Sequence, residues 1–187
     1  WARSDIYSLR IGPDLVPSQQ PVRLTFETDC HAPLWTPDGR EIVYAESQVH
    51  RTFSVFGDLS AVEVDSGRVR RITRGARAYD PDVSPDGGTV VFRSGGSYGG
   101  VPSSPTYRVW RMDADGTGFV LLGPTESDRN ASAPRTDEDG SWVVFEVEGE
   151  IRRDADGGWE LKLDPPVNRV LEISRRRVAG LWGAFGE

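Results

Sequence analysis

Short runs of alternating or continuous apolar residues, separated by turn-forming residues, recur along this chain. Asp5-Ile6-Tyr7-Ser8-Leu9, Ile42-Val43-Tyr44, Asp58-Leu59-Ser60-Ala61-Val62, Val90-Val91-Phe92 and Tyr107-Arg108-Val109-Trp110-Arg111-Met112 are rich in β-branched and aromatic residues. Such runs read as buried or half-buried strands, and they lack the 3.6-residue spacing that a helix imposes.

The runs fall into a repeat. Leu34-Trp35-Thr36-Pro37-Asp38-Gly39-Arg40-Glu41-Ile42-Val43-Tyr44 returns as Asp82-Val83-Ser84-Pro85-Asp86-Gly87-Gly88-Thr89-Val90-Val91-Phe92. It returns again around Asp139-Gly140-Ser141-Trp142-Val143-Val144-Phe145, so that Asp38, Asp86 and Asp139 are 48 and 53 residues apart. A second landmark keeps step, since Thr25, Thr73 and Thr125 precede those aspartates by 13, 13 and 14 residues. A fixed period of this kind marks stacked or circular architectures.

Turn chemistry explains the motif. Proline presets φ for a type I turn, aspartate tolerates the next position, and glycine takes the left-handed conformation that closes a bulged hairpin. Pro37, Asp38, Gly39, Pro85, Asp86, Gly87, Asp139 and Gly140 are therefore structural turn residues. Further turns at Asp65-Ser66-Gly67, Asp113-Ala114-Asp115-Gly116 and Asp154-Ala155-Asp156-Gly157-Gly158 separate the next strands of each unit. The expected fold class is all-β, a β-propeller-like array of four-stranded antiparallel blades, about three and a half of them and incomplete. A half-blade over 5–25 precedes blades at about 31–73, 79–122 and 131–163, leaving a tail at 165–187. A β-sandwich is the competing reading, but it does not require strands to repeat at a fixed period.

The Trp35-Thr36-Pro37-Asp38-Gly39 and Ser84-Pro85-Asp86-Gly87 elements, each preceded by Leu-Thr or Ile-Thr, resemble the TolB-type β-propeller repeats of bacteria. The resemblance covers about residues 5–163, and the third copy departs from it by placing Glu138 where proline stands in the others. It implies a structural motif without a catalytic residue, and it favours a periplasmic or otherwise extracytoplasmic location.

Composition narrows the function. With 29 acidic against 22 basic residues and a net charge of −7, no direct nucleic-acid binding is expected of this segment. Cys30 is the single cysteine, so neither an intrachain disulfide nor a thiolate metal site can form. No run reaches the ~20 apolar residues of a membrane helix, so no membrane insertion is expected. Trp1-Ala2-Arg3-Ser4-Asp5 lacks the features of a signal peptide.

Gly95-Gly96-Ser97-Tyr98-Gly99 contains G-x-S-x-G, but Val101-Pro102-Ser103-Ser104-Pro105 follows where a nucleophile elbow needs a helix. His31 and His50 both precede the serine, whereas that triad order places the histidine after it. Asp113-Ala114-Asp115-Gly116 and Asp154-Ala155-Asp156-Gly157 lack the spaced carboxylates of a calcium loop and read as turns, so no metal or cofactor is expected. Cys30 and His31, adjacent in a strand, point to opposite faces. Trp35, Trp110 and Trp142 are expected to fill core between blades.

The expectation is therefore a non-catalytic binding or scaffold module, its partner a protein or small ligand, working through loops on one face. Those loops are 27–33, 74–81, 126–134, 47–57 and 94–106, and the candidate contact residues in them are Asp29, His31, Arg51, Arg77, Tyr79, Tyr98, Arg129 and Asn130. The alternatives are the propeller portion of a prolyl oligopeptidase-like serine peptidase, or the sensor part of a winged-helix regulator. The tail from Pro165-Pro166 fits a helix face or two short strands. Strands at 169–174 and 178–185 beside residues 5–25 would close a four-bladed ring. The absence of a Pro-Asp-Gly turn and the presence of Arg175-Arg176-Arg177 favour an open arc.

Overall fold

The computed structural model describes residues 4–26, 28–49, 55–123, 130–147, 150–153, 159–162 and 171–172. They form an all-β arc of four units. A two-stranded half-blade pairs β1 (Tyr7–Ser8) with β2 (Val22–Arg23). The first full blade is a meander of β3 (Cys30–Trp35), β4 (Glu41–Val49), β5 (Val55–Glu63) and β6 (Val69–Arg71). The second repeats it with β7 (Ala78–Val83), β8 (Thr89–Ser94), β9 (Arg108–Asp113) and β10 (Val120–Gly123).

The third unit departs from the expected meander. Its β11 (Ala131–Thr136) and β12 (Trp142–Val147) pair as in the other blades. However, β13 (Glu150–Arg153) and β14 (Trp159–Lys162) form a hairpin of their own. The edge of β12 is met instead by β15 (Leu171–Glu172), at Trp142 and Val143. The tail strand thus joins the third unit and not the half-blade, as an open arc requires. Long-range strand pairing leaves no local signature, whereas turn chemistry does, and for that reason the partner of β12 could not be read from the residues.

Each interior strand is buried on both faces, which explains the unbroken apolar runs. In β4, Ile42 and Tyr44 face the half-blade with Ile6, Leu24 and Cys30, while Val43 and Ala45 face the second blade. In β8, Val90 and Phe92 meet Leu59, Trp110 and Met112, whereas Val91 faces the third unit with Val109, Ala131 and Val143. Successive blades therefore share their cores, and truncating Phe92 to alanine would cost about 3–5 kcal/mol. Two tryptophans depart from expectation: Trp110 is buried, but Trp142 is half-buried and Trp35 is 54% exposed. Trp35 pairs with Ile42 and so lies on the face toward the half-blade, which meets β3 at Cys30 while Trp35 at the other end of the strand stays outside that core group.

In the half-blade and the first blade a buried carboxylate ties the last two strands to the segment that leads into the next inner strand. Asp58, at the start of the described part of β5's interior, accepts hydrogen bonds from Arg71, from the Thr73 hydroxyl at 2.8 Å, and from the Gly75 and Ala76 N–H groups at 2.9 Å each. Asp5 gathers Arg23, Thr25 and Thr28 in the same way. In the second blade the equivalent residue is Arg108, which donates to the Pro102 carbonyl and lies over Trp110.

Candidate functional site

The inner strands β3, β7 and β11 begin at one face of the arc, the rim, and end at the other in hairpins that carry Asp38-Gly39, Asp86-Gly87 and Asp139-Gly140. Each carries a bulge near its start: Ala32, Asp80 and Ala133 have φ of 48°, 49° and 47°, and each precedes a proline. The pairing register shifts at the same place in all three strands. A residue before proline is held out of the right-handed helical region, so the extra residue of the bulge takes the left-handed one. His31, Tyr79 and Ser132 stand just before these bulges, and Asp29, Arg77 and Asn130 stand two residues earlier. The strands start sooner than expected, so His31 and Tyr79 belong to β3 and β7 and not to loops, and residues 47–49 and 55–57 are strand as well.

The second blade supplies the densest group. Arg93 Nε lies 2.7 Å from Asp80 Oδ2, and its guanidinium sits over the rings of Tyr107 at 4.7 Å and Tyr79 at 5.7 Å. The two tyrosines meet edge to face at 5.6 Å. Gly57 makes room for them, because a Cβ there would lie 2.4 Å from the Tyr79 ring. Burial raises the Tyr79 phenol above its ordinary range and Tyr107 adds to this, while the Gly57 N–H, Arg77 and Arg93 pull it partly back.

Arg77 stands beside this group with φ of 50°, a strained conformation for a non-glycine residue. It is half-buried over Gly95, where a Cβ would lie 3.5 Å from its Cζ, and it has no ion pair among the described residues. The Asp58 cage holds Gly75 and Ala76, and so delivers Arg77 to the rim.

The other candidates are placed differently. His31 Nε2 lies 3.4 Å from Asp29 Oδ1, and Asp29 also accepts from the Ser4 hydroxyl at 3.2 Å. Asn130 Oδ1 accepts from the Tyr107 N–H at 2.9 Å, which fixes the start of β9 against the third unit. Tyr98 is half-buried among aromatic rings, stacked on Phe119 at 4.4 Å and edge-on to Trp110 at 5.0 Å. Its hydroxyl donates to the Ala76 carbonyl, and burial pushes its phenol up to about 12. Arg51 and Arg129 lie outside the described residues.

The hairpins are as the motif implies: Gly39, Gly87 and Gly140 have φ of 69°, 73° and 72°. Asp38 and Asp86 each accept from a hydroxyl and an N–H within their turn, and Asp139 from the Ser141 N–H. A cavity of about 250 Å³ lies between the first two hairpins, walled by Asp38, Glu41, Arg70 and Asp86 among others, with Arg70 already paired to Glu41 at 2.7 Å. Ser97 is exposed and donates to the Val101 carbonyl at 2.9 Å. Asp115 accepts from the Thr117 N–H and hydroxyl, as a turn residue does. Among the described residues no cluster of three or more His, Cys, Asp or Glu side chains could hold a metal, and no helix is long and apolar enough to cross a membrane.

Asp80, Arg93 and Tyr107 are not marked as site residues by the sequence pattern. Arg93 lies in an apolar strand run, and Asp80 reaches it only through the bulge. The signal that could have found them is the dipeptide ending in Pro33, Pro81 and Pro134, in phase in all three inner strands.

Blade meanders in sequence, packed face to face with their first strands innermost, define a partial β-propeller. It resembles TolB-type propellers: a solved structure from Agrobacterium tumefaciens given as a candidate TolB superposes with a TM-score of 0.57 at 26% identity, over 85% of this chain and 56% of that one. A curated but uncharacterised protein of Agrobacterium fabrum is 30% identical over 112 residues, 59% of this chain and 33% of the relative. The chain thus spans about a third of that relative and little more than half of the solved structure. A puromycin hydrolase superposes with a TM-score of 0.56 over 92% of this chain and 27% of that one, at 18% identity, a likeness of fold. No family model matches the chain.

Proposed function

We propose that the chain is a non-catalytic binding or scaffold module that engages a protein or small ligand through the rim. The observation that carries this reading is Arg77, a half-buried guanidinium on strained backbone with no ion pair among the described residues, beside the Tyr79, Tyr107 and Arg93 group. Strain of this kind costs about 1–3 kcal/mol, and recognition of a partner is a use that offsets it.

The internal copies support the same reading. Hairpin positions carry nearly the same residues in each unit, whereas the rim positions change chemistry: Asp29, Arg77, Asn130, and His31, Tyr79, Ser132. The fold needs the first set in every unit, whereas the second set differs from unit to unit, as positions given to recognition do. Through the resemblance to periplasmic TolB, an extracytoplasmic compartment is part of the proposal. The fold likeness to a hydrolase favours one second reading, the propeller portion of a peptidase, in which catalysis would belong to a domain encoded beyond residue 187. Photo-crosslinking from the rim against the hairpin face tests the binding surface, and a fluorophosphonate probe tests catalysis.

A further inference from the structure

Arg77 is held from both sides. Ala76 before it donates its N–H to Asp58 Oδ1 at 2.9 Å and receives the Ser94 and Tyr98 hydroxyls on its carbonyl. Ala78 after it pairs with Ser94 at the start of β7. At the matched rim positions Asp29 and Asn130 have ordinary φ, so the left-handed backbone of 50° belongs to Arg77 alone of the three. The neighbours thus impose a conformation that the Arg77 side chain itself disfavours.

Two glycines give the guanidinium its place. A Cβ on Gly95 would lie 3.5 Å from Arg77 Cζ and 2.8 Å from the Ser104 carbonyl oxygen, and one on Gly96 would lie 2.6 Å from the Tyr98 hydroxyl. There the guanidinium is near enough to the Tyr79 and Tyr98 phenols to pull both toward ionisation, yet burial outweighs it and both stay protonated and neutral.

Charge in this group does not cancel. Asp58 is taken by Arg71, and Asp80 by Arg93, whose guanidinium lies over the Tyr107 and Tyr79 rings. Among these residues the positive charge of Arg77 is left over, beside a neutral aromatic shelf. The opposite face carries acid at its turns, in Asp38, Asp86, Asp113, Asp115 and Asp139. A negative ligand is therefore repelled from the hairpin face and drawn to the rim. One guanidinium matches one carboxylate, whose two oxygens accept two parallel N–H bonds, whereas a phosphate dianion draws on several cations or a nest of N–H groups.

We propose, resting on the reading of the rim as the recognition surface, that Arg77 anchors a monovalent carboxylate. The ligand carries it beside an aromatic or apolar group that rests on Tyr79 and Tyr107.

Fluorescence anisotropy of anthranilate, an aromatic monocarboxylate, titrated with the full-length protein tests this against the uncharged anthranilamide. The acid should bind and the amide should not. Arg77→Gln should weaken binding about tenfold or more, the worth of a charge-assisted hydrogen bond, and Arg77→Lys should not restore it. Inorganic phosphate at matched ionic strength should not compete. Arg77→Gly, which frees the left-handed backbone from its side-chain penalty, should abolish binding without lowering thermal stability. Glu126 and Asp128 precede β11 in the sequence, and Glu126→Gln with Asp128→Asn should leave the affinity unchanged. A peptide ending in phenylalanine distinguishes the sources of the carboxylate: displacement of anthranilate by its free form alone shows a chain end, and by neither the free nor the amidated form a small acid. Equal binding of acid and amide, no saturable binding of the acid, or displacement by phosphate or by the amidated peptide would overturn the proposal. So would a less stable Arg77→Gly, which makes Arg77 structural, or tighter binding by the Glu126 and Asp128 variant, which pairs Arg77 within the chain. Photo-crosslinking from Tyr107 keeps the two readings apart. Adducts that persist in Arg77→Gln overturn the carboxylate and leave the rim standing, whereas an absence of rim adducts removes the rim reading itself.

Discussion

Thr136 donates both its backbone N–H and its hydroxyl to Asp82 Oδ2, each at 2.7 Å, and so binds the inner strand of the third unit to that of the second blade. At the preceding junction Leu34 and Val83 fill the same positions with apolar packing. The arc is held by matched pairs whose chemistry differs from junction to junction. Thr136→Val should cost about 1 kcal/mol and Asp82→Leu more, because the latter strands two donors. The double variant should cost less than the sum, a coupling of about 1 kcal/mol read from urea unfolding. Strict additivity would show that the contact does not hold the junction.

The hairpin glycines give a graded test. A Cβ on Gly39 meets nothing within 4 Å, whereas on Gly140 it would lie 3.4 Å from Pro85 Cδ of the preceding unit. All three have positive φ, so alanine costs about 1–2 kcal/mol at each from backbone strain alone. Gly116, also at positive φ, is tighter, a Cβ there lying 2.4 Å from the Ile72 carbonyl oxygen of the preceding blade, and Gly116→Ala should lose more than Gly39→Ala. Equal losses would mean that hairpins do not pack between units.

Asp58 makes the fold sensitive to acid. Burial pushes its carboxyl up, but the Ala76 N–H, Arg71, the Gly75 N–H and Thr73 outweigh that and hold it below 3.8. A depressed folded pKa means that its contribution is fully present above about pH 4 and is lost as pH falls through the folded value. Thermal unfolding from pH 7 to pH 2 should therefore show a decline below pH 4 that is shallower in Asp58→Asn. That variant should be destabilised at neutral pH by about 3 kcal/mol, since Arg71 keeps a poorer partner. Parallel pH profiles would remove Asp58 from this role.

The hairpins and the two full blades could be read from the residues, because turn chemistry and a fixed period are local. Asp29, His31, Arg77, Tyr79 and Asn130 fall at matched rim positions for that reason. Tyr98 could not be told from a surface aromatic, since its ring stacks on Phe119 from a distant turn. Trp35 fits a core pattern, but the alternation of a strand says which face a side chain takes and not whether anything covers it. The pairing of β12 with β15 joins residues far apart in the chain and has no local signal.

Ser97 offers a check on catalysis. Its hydroxyl is donated to Val101, and the segment after it forms a turn in place of a helix. A fluorophosphonate probe should leave the chain unlabelled, and stoichiometric labelling at Ser97 would show a reactive nucleophile.

The central claim is that the rim is the surface of recognition, and site-specific photo-crosslinking tests it most directly. A benzophenone amino acid placed in turn at His31, Arg77 and Tyr107 on the rim, and at Asp38, Arg40 and Asp86 on the hairpin face, is irradiated in cells expressing the full-length protein. Adducts of one mass from the rim positions, with none from the hairpin face, are the predicted result. Adducts from the hairpin face with none from the rim would contradict the account.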